Sequence, residues 1–164
     1  MGKTFLCAMA VYDQETQTQI EKIRALLVEA GFVGEQTEGL PHHITLGIFQ
    51  PEERGWALEA LEEAQRQTRA FPVTFNHLGI FGGGKVLFLA PDTSRDLLGL
   101  QEHFGTSRDW TAHTTLFIGQ PPQVCAALPL ALAGFQSFTG RVDRVLLYQF
   151  CPRELLRESG LPGR

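Results

Sequence analysis

The chain alternates between short apolar stretches of strand character and longer stretches in which apolar residues recur at helical spacing. Thr4 to Tyr12 is apolar and strand-like. Asp13 begins a helical stretch with Ile20, Ile23, Leu26 and Leu27 at helical spacing, and Gly31 stops it. His43 to Phe49 predicts a strand. Pro51 and Glu52 open a second helix, Ala57 to Arg69, with Leu58 and Leu61 inward and glutamates toward water. Phe71 to Phe81 and Lys85 to Ala90 predict a hairpin around the turn Gly82-Gly83-Gly84. Asp92, Thr93 or Ser94 caps a third helix running through Leu97, Leu98 and Leu100. Ala112 to Ile118 is another strand, Pro121 to Ala133 a short helix, and Phe135 to Thr139 and Val142 to Phe150 a final pair of strands. No element is assigned to Pro152 to Arg164.

Two of the predicted strands carry nearly the same text, seventy residues apart: Pro41-His42-His43-Ile44-Thr45-Leu46 and Thr111-Ala112-His113-Thr114-Thr115-Leu116. Successive side chains of a strand point to opposite faces. His43 and Thr45 therefore share one face and Ile44 and Leu46 the other; His113 and Thr115 stand likewise against Thr114 and Leu116. Neither core packing nor turn chemistry asks for such a repetition. Two imidazoles across one cleft supply a general acid and a general base, since the unperturbed histidine pKa lies near neutrality. Two hydroxyls between them hold phosphate oxygens without a metal's charge. The halves resemble each other beyond the motifs, each having a motif strand, a helix and further strands. The expected fold is α+β: a bilobal pseudo-twofold arrangement of two antiparallel sheets lining a central cleft, with helices on the outer faces.

Composition narrows the setting. At 164 residues, 43% hydrophobic and 20% charged, the chain is expected to be a single domain, 1–164, of two lobes. A net charge of −4 argues against gripping long nucleic acid by its backbone, and leaves a nucleotide or an RNA end as partner. Cys7, Cys125 and Cys151 are far apart and odd in number, which reads as reduced thiols in a cytoplasmic protein. The apolar run at the start is too short for a signal peptide before Asp13 and Glu15, and no run approaches a membrane span. The expected state is a monomer, with no membrane partner.

The paired His-x-Thr-Leu motifs resemble those of the two-histidine phosphoesterase superfamily, and within it the LigT-like RNA 2′,5′-ligase and 2′,3′-cyclic phosphodiesterase group. Phe71-Pro72-Val73, Leu78-Gly79-Ile80-Phe81 and Gly82-Gly83-Gly84-Lys85-Val86-Leu87-Phe88-Leu89-Ala90 look like that group's middle hairpin. The resemblance covers roughly residues 4 to 150. It implies a bilobal fold with the motifs on central strands, and metal-independent cleavage or formation of phosphodiester bonds at RNA ends, without a cofactor. It assigns the acid that protonates the leaving oxygen to His43, the base that activates water to His113, and the phosphate oxygens to Thr45 and Thr115. Relatives often carry an arginine just after the second motif; here Phe117-Ile118-Gly119 follows, leaving Lys85 or Arg108 to supply charge.

Other residues are weaker candidates. His42 points away from His43 in a regular strand, and His77 and His103 read as surface or structural. Gly82-Gly83-Gly84-Lys85 lacks the spacing and the Ser/Thr of a phosphate loop and lies between strands, so it reads as a turn. Trp110, three residues before His113, is either a core residue or a stacking platform for a base. Trp56 reads as packing. Two rivals stand beside the phosphodiesterase: a nucleotide-binding module with the same cleft and little or no catalysis, and a metal hydrolase, for which no ligand motif is present.

Overall fold

The computed structural model describes residues 2–105 and 109–163. Among the described residues, four α-helices and seven strands follow one another as β1 (Phe5–Tyr12), α1 (Gln14–Glu29), β2 (His43–Phe49), α2 (Arg54–Gln67), β3 (Phe71–Ile80), β4 (Val86–Pro91), α3 (Arg95–Glu102), β5 (Thr114–Ile118), α4 (Pro121–Gly134), β6 (Phe138–Phe150) and β7 (Glu154–Gly160). The fold is α+β, with every strand pairing antiparallel.

Local chemistry sets the helix starts. Asp13 accepts from the Thr16 backbone N–H at 2.9 Å, and Ser94 accepts from the Leu97 N–H at 3.1 Å, each satisfying a donor that the first turn leaves open. Gln50 and Gln120 close reciprocal capping boxes with Glu53 and Gln123, each followed by proline in the first turn. On α1 the buried face is Thr16, Ile20, Ile23 and Leu27, whereas Leu26 turns outward and is 41% exposed. The stripe that reaches the sheet is narrower than the run of apolar positions at helical spacing.

The two expected sheets are two arms of one hydrogen-bonded sheet. Its order is β2-β1-β6-β3-β4-β5. The join is β6, a single strand where the sequence pattern predicts two. Gly140 is no turn: it pairs with Val73 inside the ladder, and a Cβ there would stand 2.4 Å from the Thr16 side chain of α1. It lets a helix approach a continuous strand. The residues at 135–137 stay outside it. Along the flank of β6 opposite β1, β3 and β7 lie end to end, and the Ala70 N–H donates to the Pro162 carbonyl where they meet. The tail thus supplies a strand that its mostly polar, mostly exposed sequence does not announce.

One face of the sheet packs on the helices. Leu6, Ala8, Ala10 and Tyr12 of β1 join Ile20, Leu27, Leu61, Val124 and Ala127 in the main core. The opposite face carries a second, smaller cluster of Cys7, Met9, Val11 and Leu146, flanked by Phe5, Leu40, Tyr148 and Phe150. The sheet curls so that its end strands, β2 and β5, come into contact. The strands bearing the two repeated motifs are these two.

Candidate active site

Cross-strand pairing orders the cleft face into rows. His43 pairs with Val11, which pairs with Arg144; Thr45 pairs with Met9, and Met9 with Leu146; Ile48 pairs with Cys7, and Cys7 with Tyr148; Phe5 pairs with Phe150. The regular alternation that puts His43 and Thr45 on one face breaks after Thr45. Met9 opposes Thr45 and Ala8 opposes Gly47, so Leu46 has no partner of its own. The second motif repeats the break: Phe88 opposes Thr115 and Leu87 opposes Phe117, leaving Leu116 unpaired. These are β-bulges at the same motif position. Leu46 and Leu116 are both buried in the core. Each bulge advances the cleft face by one residue, so Ile48 and Ile118 follow Thr45 and Thr115 into the cleft.

The two imidazoles are held alike. His43 Nδ1 lies 2.8 Å from the Pro41 carbonyl, and His113 Nδ1 lies 2.8 Å from the Thr111 carbonyl. A carbonyl only accepts, so Nδ1 carries the proton and the neutral rings keep the Nε2 lone pair for chemistry. Their surroundings differ. His43 lines a cavity of about 420 Å³ with Thr45, Thr115, Ile48 and Ile118. Burial pushes its pKa below the ordinary histidine value, against the Pro41 carbonyl, with His42 and His113 adding to the depression. His113 stands at the more open side, its ring 4.7 Å from Phe81 and 5.5 Å from Phe88, both edge-on.

Two ties fix the motifs against each other. The Trp110 indole N–H donates to the Thr45 carbonyl at 2.9 Å, and the ring packs on the main core. The buried Tyr12 hydroxyl meets Thr114 Oγ1 at 2.5 Å across the two arms, and burial raises its pKa. Cys7 lies under Thr45, Sγ to Oγ1 3.9 Å, and burial lifts its thiol to about 11, so it stays protonated. Gln36 covers the free edge of β5: its amide donates to the Leu116 carbonyl at 3.3 Å and accepts from the Ile118 N–H at 3.2 Å.

The remaining candidates fall elsewhere. Lys85 is exposed just before β4 and is not among the residues lining the cavity. Arg108 lies outside the described residues. Arg24, on the cavity rim, pairs with Glu21 at 3.2 Å, and Arg144 pairs with Asp143 and Glu158 and donates to the Tyr12 carbonyl. His42 also lines the cavity, its Nε2 2.7 Å from Glu21; burial lowers its pKa against the pull of that carboxylate. His77 faces Asp92 at 3.7 Å, and Trp56 packs edge-on to Phe49. Among the described residues no three His, Cys, Asp or Glu side chains cluster to hold a metal ion, and no helix is long and apolar enough to cross a membrane.

Residues 12–150, which include both motifs and both bulges, match the family model of the 2′-5′ RNA ligase superfamily. The chain belongs to that superfamily. Its fold is that of E. coli LigT, to which it is similar at 19% identity and a TM-score of 0.64 over 99% of each chain. TT0787 of Thermus thermophilus is similar at 14% identity and a TM-score of 0.66, over 98% of this chain and 99% of that one. A further structure of E. coli LigT, complexed with 3′-AMP, is similar at 20% identity and a TM-score of 0.62, over 98% of this chain and 99% of that one. No curated protein sequence matches the chain. Membership in the 2′-5′ RNA ligase superfamily makes this a phosphoesterase- or ligase-type protein. Ile48 and Ile118 are the cleft residues that motif reading missed. A longer repeat, His-x-Thr-x-x-Ile in both halves, was available to find them, and only the bulge explains its spacing.

Proposed function

We propose that the protein is a metal-independent phosphodiesterase that opens 2′,3′-cyclic phosphate ends of RNA or nucleotides, and that the same site, with a 5′-hydroxyl in place of water, joins 2′,5′ ends. Thr45 and Thr115 donate to the non-bridging oxygens. His113 Nε2 takes a proton from water as the water oxygen attacks phosphorus. His43, doubly protonated, gives its Nε2 proton to the ribose oxygen as the P–O bond breaks. The reaction leaves His113 protonated and His43 neutral, and exchange with solvent restores both. Each positioned proton transfer contributes about 10²–10⁴-fold. The depressed pKa of His43 fits this role once an anion is bound, because a phosphate beside the ring favours its charged form. Substrate therefore helps to load its own acid.

The observation that carries the reading is the duplication of a whole device: an imidazole anchored at Nδ1 to the carbonyl two residues before it, a hydroxyl two residues after it, and a bulge beyond. Three unpaired cysteines, one buried and two exposed, fit a reducing compartment, and we place the activity in the cytoplasm. The test is a panel of nucleoside 2′,3′-cyclic phosphates and 2′,5′-linked dinucleotides, with the position of the product phosphate read by NMR. Turnover of the cyclic phosphates to a single monophosphate isomer is expected. Tight binding without turnover would make the protein a nucleotide-binding module instead.

A further inference from the structure

The His43 imidazole is only as well placed as the Pro41 carbonyl that holds it, and that carbonyl lies outside the sheet. The ladder between β1 and β2 ends at the Val11–His43 pair, so Pro41 and His42 stand beyond the last strand partner. Backbone groups at the edge of a core need partners from elsewhere when the ladder stops. Gln17, one turn into α1, supplies them with a single side chain. Its amide nitrogen donates to the His42 carbonyl at 2.8 Å, and its amide oxygen accepts from the His42 N–H at 2.9 Å. Two residues of an antiparallel ladder exchange the same two bonds, so a side-chain amide here takes the place of a strand. The Gln17 nitrogen also lies 3.5 Å from the Tyr12 carbonyl, at the end of β1. One turn further along α1, Glu21 meets His42 Nε2 at 2.7 Å. His42 is thereby held at both backbone groups and at its ring, and it is the residue between the Pro41 carbonyl and His43, whose Nδ1 that carbonyl holds. Gln36 makes a similar pair of bonds on β5, but past the threonine of its motif. Gln17 grips the chain just before the imidazole.

We infer that Gln17 is a positioning residue: by pairing with both backbone groups of His42 it fixes the Pro41 carbonyl, and through that carbonyl the tautomer and aim of the His43 imidazole. The inference rests on the proposed function for what that imidazole then does. Its test uses Gln17→Met, which keeps the length of the side chain and loses both bonds, and Gln17→Asn, which keeps the amide and loses its reach. Folding is checked by near-UV circular dichroism. Heteronuclear NMR of the imidazole nitrogens, in mildly alkaline buffer where the rings are neutral, reads the tautomer of His43 and of His113. Turnover of adenosine 2′,3′-cyclic phosphate and calorimetry with inorganic phosphate complete the comparison. The expected result in both variants is a His43 ring that no longer keeps its proton on Nδ1 alone, a His113 ring unchanged, and a kcat lower by about 10- to 100-fold with KM and phosphate affinity retained. An unchanged His43 tautomer in the folded variants overturns the inference, whatever happens to kcat. So does a tautomer change that leaves kcat at the wild-type value, or one that spreads equally to His113, which would mark a general loosening of the site. A wild type that turns over no cyclic phosphate would remove the phosphodiesterase, and the two tautomers would still decide whether Gln17 holds the ring.

Discussion

The two motif strands use one backbone device in two environments. On β2 the histidine lines the cavity beside its register partner Val11, and burial holds its pKa down. Just before β5 the other histidine meets Phe81 and Phe88, whose rings pack against each other, at steep interplanar angles. The anchoring carbonyl, the hydroxyl and the bulge are the same in both. Repetition thus supplies geometry, and the neighbours give the two imidazoles different surroundings. Two titratable groups whose surroundings differ are what a paired proton transfer requires.

The sharpest way to break this comparison is to remove each imidazole. His43→Ala and His113→Ala are each expected to lower kcat on a cyclic phosphodiester by at least about 10²-fold with the fold retained. Near-full activity in either variant, on a substrate the wild type turns over, would end the two-histidine mechanism. A smaller effect falls on the tie between the arms. Tyr12→Phe strands a buried Thr114 hydroxyl, so a denaturant melt should show a loss of about 1–3 kcal/mol.

Acidity provides a finer test. The acid must be protonated to act, and the pKa of His43 is depressed in the free protein. An NMR titration of the His43 imidazole in the free protein should therefore show a midpoint below the ordinary histidine range. Bound phosphate raises that pKa, so the alkaline limb of kcat should lie at higher pH than that of kcat/KM. Coincident limbs would mean that substrate does not load the acid; both profiles report the coupled pair, not one ring. The smallest expected effect is none: EDTA should leave turnover unchanged. Loss with EDTA, restored by one divalent ion, would shift the protein to metal-assisted hydrolysis.

Much of this was legible in the sequence, because period and capping are local. The starts of α1 and α3, the motif strands and the central hairpin follow from Asp13, Ser94, the His-x-Thr alternation and the glycine turn. What was not legible depends on contacts distant in the chain. Gly140 looks like a break until Thr16 is seen against it, and β7 becomes a strand only because β6 offers it an edge. Leu46 and Leu116 look like ordinary alternation, yet each hides an inserted residue that moves an isoleucine from the expected face to the cleft. Trp110 shows the same limit: an aromatic before a motif gives no sign that its N–H will hold the other motif's backbone.

The edge cover on β5 has a consequence beyond catalysis. A sheet that ends in two apolar strands offers unpaired N–H and C=O groups to any passing chain, and such edges are where association into fibres begins. Here the end strands β2 and β5 curl toward each other, so the opening between them is the seam a barrel would have closed. On the β5 side, the Glu35 N–H donates to the Ile118 carbonyl, and the Gln36 amide occupies the groups beside it. The seam stays open wide enough for a ligand while its edge is denied to another strand. Colloidal stability and access to the site are in this way served by one short loop, and a change there that spares the histidines would still expose the molecule to aggregation.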